Sequence, residues 1–114
     1  MITILHNPRC SKSREGLNVL ENSGKDFEVI KYLDEPISEE ELKNIIALLK
    51  IKPIELVRKN EAIWKSDFKG KPLTDAQIIK AMVTHPKLIE RPIVINGKKA
   101  VIGRPSQNIL DILK

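Results

Sequence analysis

The chain has 114 residues, of which 41% are hydrophobic and 31% charged, and a formal net charge of +5. That length suits one domain of common size with enough chain to bury one core, and the composition excludes a disordered chain. The lysines and arginines are scattered from Arg9 to Lys114 among acids, and only four aromatic residues are present. A small anion therefore fits the charge better than nucleic acid, which is not expected as a partner.

Ile2 to Leu5 predicts a short strand. His6, Asn7, Pro8 and Arg9 stop this apolar run well short of the ~7 to 15 residues of a signal peptide or the ~20 of a spanning helix. A cytoplasmic protein without membrane association is expected. A helix should begin near Cys10 or Ser11, with Ser11 and Ser13 suited to its entry and Leu17 and Leu20 on its apolar stripe, ending before Asn22-Ser23-Gly24. Phe27 to Leu33 has the composition of a second strand, giving a β-α-β unit.

After Pro36, Ser38 and Glu41 form a capping-box pattern. Leu42, Ile45, Ile46 and Leu49 then recur at helical spacing, the strongest helix signal in the chain. Pro53 predicts a short helix running into Arg58-Lys59-Asn60, and Gly70-Lys71-Pro72 a loop. Thr74 or Asp75 should cap a helix carrying Ile78, Ile79, Met82 and Val83, which His85-Pro86 ends, with a further turn at Leu88-Ile89. Asn96-Gly97 between Ile93-Val94-Ile95 and Lys98 to Ile102 predicts an antiparallel hairpin. The final helix should carry Ile109, Leu110 and Leu113 inward and Asp111 outward.

This order, β-α-β, inserted helices over about 38–90, then β-β-α, makes one α/β domain over residues 1–114 with a mixed four-stranded sheet. It resembles the thioredoxin-like fold. Pro92 stands at the start of the third strand, where that resemblance implies a cis Arg91-Pro92 bond beside a reactive cysteine.

Cys10 is the only cysteine. That count excludes an internal disulfide and any metal site built on several thiolates, so no metal is expected. A lone cysteine is most often a small buried apolar residue. Here Pro8, Arg9, Ser11 and Lys12 flank it, no apolar stripe includes it, and it opens a helix. A helix N-terminus favours both a thiolate and a bound oxyanion. Arg14, one turn on, and His6, just before, could each lower the thiol pKa further. His6 reads equally well as a hydrogen-bonded structural residue at a strand end.

The segment His6-Asn7-Pro8-x-Cys10-x-x-Ser13-Arg14 resembles the active-site motif of the glutaredoxin-coupled arsenate reductase family. Tyr32-Leu33, Leu56-Val57-Arg58-Lys59-Asn60, His85-Pro86-x-Leu88-Ile89-x-Arg91-Pro92-Ile93-Val94 and Arg104-Pro105-Ser106 continue the likeness in order. The resemblance implies that Arg58, Arg91 and Arg104 bind the oxyanion, for which guanidinium forks are well matched. It also implies that Cys10 attacks arsenic to form a thiol-linked arsenate. Glutathione would be the co-substrate and glutaredoxin the partner that reduces the resulting mixed disulfide. With one cysteine, the resolving thiol must come from outside the chain.

No bound cofactor is expected, and the expected state is a monomer. Two alternatives remain: a glutathione-dependent thiol reductase with another substrate, and an Spx-type regulator that binds RNA polymerase. Regulators of that type carry a second cysteine three residues after the first, where this chain has Ser13.

Overall fold

A computed structural model describes residues 2–113. The chain divides into two compact units, one formed by residues up to Glu35 together with those from Arg91 onward, the other by Pro36–Glu90.

The first unit is built on β1 (Ile2–Leu5), α1 (Ser11–Asn22), β2 (Phe27–Ile30), β3 (Ile93–Asn96), β4 (Lys99–Ile102) and α5 (Gln107–Ile112). The sheet order is β2-β1-β3-β4, with β1 parallel to β2 and antiparallel to β3, and β3 antiparallel to β4. This is the mixed thioredoxin-like sheet. Alternation along β1 sends Ile2 and Ile4 into a cluster with Val94 of β3, Leu20 of α1 and Ile109 and Ile112 of α5. Ile4 and Val94 stand opposite each other in register, so one face of the sheet carries this core under α1 and α5.

Three details differ from the sequence reading. First, β2 stops at Ile30 rather than Leu33, because its partner β1 ends at Leu5, opposite Ile30. The His6 N–H closes the last bond to the Ile30 carbonyl at 2.9 Å, and the Lys31 carbonyl then accepts from Asp34 and Glu35 in a turn. Second, the hairpin turns at Gly97-Lys98, one residue later than expected. Gly97 takes φ 62° at the first turn position, which glycine adopts readily. Asn96 is thereby freed to end β3, pairing with Lys99, and its Nδ2 donates to the Ile112 carbonyl at 2.6 Å. Third, Leu110 is half exposed instead of inward, while Ile109 and Ile112 are buried and Asp111 is exposed as expected. Ile109 and Ile112 stand three residues apart on one helical face, and Leu110 lies off it.

In the second unit α2 (Glu39–Leu49) starts at the expected capping box. The Ser38 Oγ accepts from the Glu41 N–H at 3.1 Å, and the Glu41 carboxylate accepts from the Ser38 N–H at 3.3 Å. Thr74 and Gln77 repeat this device at the head of α4 (Asp75–Thr84), and α2 packs on α4. Short 3-10 turns occupy Pro53–Leu56 and Pro86–Leu88. An additional helix, α3 (Ala62–Asp67), lies between them in sequence; Trp64 at its centre stacks on Phe68, ring centroids 5.5 Å apart, and Phe68 meets His85 edge-on at 6.0 Å. No helix among the described residues is long and apolar enough to cross a membrane.

Candidate active site

Cys10 is the N-cap of α1, with extended backbone (φ −99°, ψ 122°) and its carbonyl accepting the first helical bond from Arg14 at 3.0 Å. The loop that presents it is organised by Asn7. The Asn7 carbonyl accepts from the Cys10 N–H at 3.0 Å, its Oδ1 accepts from the Arg9 N–H at 3.0 Å, and its own N–H donates to Ser13 Oγ at 2.9 Å. A short polar side chain that bonds nearby backbone suits such a turn. Arg14 Nη1 donates to the Pro8 carbonyl at 2.9 Å, clasping the same loop from the helix side.

Beneath this loop lies a buried polar group. His6 Nδ1 and Ser13 Oγ are 2.7 Å apart, and His6, Asn7 and Ser13 are all buried. Burial first, then the positive charges of Lys31 and Arg14, hold the His6 imidazole below its ordinary pKa, against the opposing pull of the Ser13 contact and Glu21. His6 is therefore a neutral ring at pH 7 that bonds Ser13. Through Ser13 it braces the first turn of the helix.

The sulfur itself is half buried. Burial acts to raise the thiol, but the Ser13 N–H, the Arg91 side chain and the Lys12 N–H together outweigh it and leave Cys10 below its ordinary value. No short capping bond closes on the sulfur. The two N–H groups act as dipoles at the positive end of the helix, as expected where the first turn has unpaired donors. Arg104 completes the environment: its Nη2 donates to Cys10 Sγ at 3.4 Å and its Nε to the Arg91 carbonyl at 2.8 Å. One guanidinium thus links the thiol to the segment that carries the second arginine.

Pro92 follows Arg91 through a cis peptide bond, as expected, and Arg104-Pro105 is also cis, which was not anticipated. Pro92 is packed so closely that Cβ atoms at Gly16 and Gly103 would lie 2.7 and 2.9 Å from its Cγ. The Gly103 N–H donates to the Pro92 carbonyl at 2.8 Å. Glycine at both places permits α1 and the segment after β4 to approach the proline ring.

The first unit therefore brings together Cys10, Arg91 and Arg104, with His6 one layer below and Arg14 on the loop. Arg58 belongs to the second unit. There its backbone N–H donates to the Leu88 carbonyl at 2.7 Å beside the Val57–Ile89 bridge, and its guanidinium lies 3.8 Å from both Glu61 and Glu90. Its Nη1 is buried without a hydrogen bond among the described residues. Sequence reasoning gave no structural role to Asn7, Gly16 or Gly103, and took Ser13 as a helix-entry and motif residue without its bonds to His6 and Asn7. The available signal was helical spacing: Ser13, Gly16 and Leu20 fall on one face and are all buried.

A lone thiol at the head of the first helix, in a thioredoxin-like sheet with a cis-proline before β3 and arginine side chains near the sulfur, defines a one-cysteine thioredoxin-like protein. Comparison with known proteins narrows this class. Residues 5–112 match the ArsC family. The chain is 44% identical to an arsenate reductase of Haemophilus influenzae, covering 98% of each chain. It is 42% identical to the Escherichia coli K12 protein YfgD, described as uncharacterized, over 98% of this chain and 96% of that one. The solved structure of an arsenate reductase from Vibrio cholerae superposes with a TM-score of 0.92 at 43% identity, covering 97% of this chain and 96% of the other. The chain belongs to the ArsC family.

Proposed function

We propose that this protein reduces arsenate to arsenite, with Cys10 as nucleophile, glutathione as electron donor and glutaredoxin as the reductant of the enzyme's mixed disulfide. The observation that carries the reading is the 3.4 Å contact from Arg104 Nη2 to Cys10 Sγ, a guanidinium beside the thiol of the kind that suits an oxyanion. Relatives described as arsenate reductases at 42–44% identity support the substrate.

In this mechanism the Cys10 thiolate attacks arsenic; the S–As bond forms as hydroxide or water leaves. Arg91 and Arg104 hold the arsenate oxygens and the charge that develops on them. Arg58 is assigned the same task on the strength of the family motif. A glutathione thiolate then attacks Cys10 Sγ, and the S–As electron pair leaves with arsenic. As(V) thereby gains two electrons and becomes arsenite, while the two sulfurs are joined in a disulfide. Glutaredoxin takes the glutathione from Cys10 by thiol–disulfide exchange, which restores the thiolate.

The test is arsenite formation from arsenate with glutathione and glutaredoxin, comparing wild type with Cys10→Ser and Arg104→Ala. Cys10→Ser should be inactive and Arg104→Ala slower by roughly 10²-fold or more, the usual loss for one donor to a developing oxyanion. Wild-type turnover that survives Cys10→Ser rejects the proposal.

A further inference from the structure

The segment that carries Arg104 belongs to no helix or strand. β4 ends at Ile102 and α5 begins at Gln107, so the guanidinium is presented from a loop of Gly103 to Ser106. Arg104 nevertheless makes two directed contacts, from Nε to the Arg91 carbonyl at 2.8 Å and from Nη2 to Cys10 Sγ at 3.4 Å. A long side chain rich in rotamers keeps such a pose only where the backbone beneath it is held.

Asn108, in the first turn of α5, holds it. Its Nδ2 donates to the Ile102 carbonyl and to the Arg104 carbonyl, each at 3.2 Å. These are the two carbonyls on either side of Gly103. A side-chain amide nitrogen has two hydrogens, enough for one to each acceptor, and two carbonyl partners fix the amide with its nitrogen toward them. The Asn108 N–H adds a tie to the Pro105 carbonyl at 3.0 Å, and the Gly103 N–H one to the Pro92 carbonyl at 2.8 Å. Helix propensity does not explain this residue, since alanine or leucine would suit α5 better.

We propose that Asn108 is a positioning residue of the active site: by drawing together the carbonyls that flank Gly103, it sets the backbone from which Arg104 reaches the Cys10 sulfur. The inference rests on the reading of Cys10 as the nucleophile. Both bonds of the amide go to the Arg104 segment and neither to the sulfur, so its effect passes through Arg104. A charge-assisted donor at the sulfur favours the thiolate. A guanidinium released from that pose therefore leaves a smaller thiolate fraction at neutral pH.

The test is the pH dependence of Cys10 alkylation by iodoacetamide in wild type, Asn108→Leu, Arg104→Ala and the double variant. Leucine is close to asparagine in size and lacks both donors. Asn108→Leu should raise the midpoint by about 0.3 to 1 pH unit, roughly 2- to 10-fold slower reaction below the midpoint, a part of what one hydrogen bond to a charged group supplies. Arg104→Ala should raise it at least as far. In the Arg104→Ala background, Asn108→Leu should move the midpoint no further, because the group through which it acts is gone.

A midpoint that Asn108→Leu leaves at the wild-type value overturns the proposal. So does an equal rise in both backgrounds, which would assign the effect to a general loosening of the fold. Asn108→Ala, a good helix former, carries the same comparison should the leucine variant not fold. Arsenate takes no part in these rates, so failure to reduce arsenate and failure of this inference are read separately.

Discussion

Replacing Gly16 by alanine sets two effects of opposite sign against each other. Gly16 lies inside α1 with ordinary helical backbone, so alanine gains about 1 kcal/mol of helix propensity. The new Cβ, however, would stand 2.7 Å from Pro92 Cγ and 3.1 Å from Ile109 Cδ1, against ~3.5 to 4.0 Å for ordinary carbon contacts. The proline ring has little room to yield, because its carbonyl is bonded to the Gly103 N–H and Gly103 approaches the same Cγ. Overpacking of this kind costs about 1 to 3 kcal/mol, and a shortfall of nearly 1 Å belongs at the upper end. The net expectation is a loss of about 1 to 2 kcal/mol. Urea unfolding followed by far-UV circular dichroism should show a midpoint lower by roughly 0.5 to 1 M with an unchanged slope. A midpoint equal to or above that of wild type would refute the close packing of α1 on Pro92.

Ser13→Ala should destabilise by about 1 to 3 kcal/mol, because it leaves the buried Asn7 N–H and His6 Nδ1 without their shared partner; thermal melts compared with the exposed control Ser11→Ala check this. His6 makes stability depend on pH. Its pKa is lower folded than the unfolded value of 6.5, so the unfolded chain binds the extra proton and stability should fall as pH drops from about 6.5 through the folded value. Urea titrations at pH 7.5 and 5.5 should show that loss in wild type and a smaller one in His6→Asn. Arg58→Ala, which removes a fork carrying a buried, unbonded Nη1, should weaken arsenate use by roughly 10- to 100-fold in kcat/KM, the range of one hydrogen bond to a charged group. Steady-state kinetics against arsenate concentration measure it.

Elements whose signals are local were legible from the sequence. β1, the Ser38 capping box and a helix start at Thr74 or Asp75 lie where they were expected, and the cis bond at Pro92 where the fold resemblance implied it. What escaped depends on partners distant in the chain. The length of β2 is fixed by where β1 ends, and a stretch rich in β-forming residues through Leu33 could not reveal that limit. The six-residue α3 is too short for a helical period to show, and aromatic stacking of Trp64 on Phe68 helps to hold it. Leu110 counted as core by type alone, yet the spacing of Ile109 and Ile112 fixes which face turns inward.

The site divides in the same way. Cys10 at a helix head could be read from its flanks, and the three arginines from the family likeness. The tasks of Ser13, Asn7, Gly16 and Gly103 could not, because a buried serine among charged neighbours looks like surface until the helix is rotated onto Leu20. Arg104 shows the same dependence on tertiary structure. It is 94 residues from Cys10 in sequence, and only the fold brings its guanidinium to the sulfur.

The account depends on Cys10 being held as an available thiolate, and the most direct measurement is the pH dependence of its alkylation by iodoacetamide. With one cysteine in the chain, the rate reports one group. The expected profile has its midpoint below the ordinary thiol value of 9.0 in wild type and moves upward in Arg91→Ala, which removes the side chain that stabilises the thiolate. A wild-type midpoint at or above 9.0 would contradict the account.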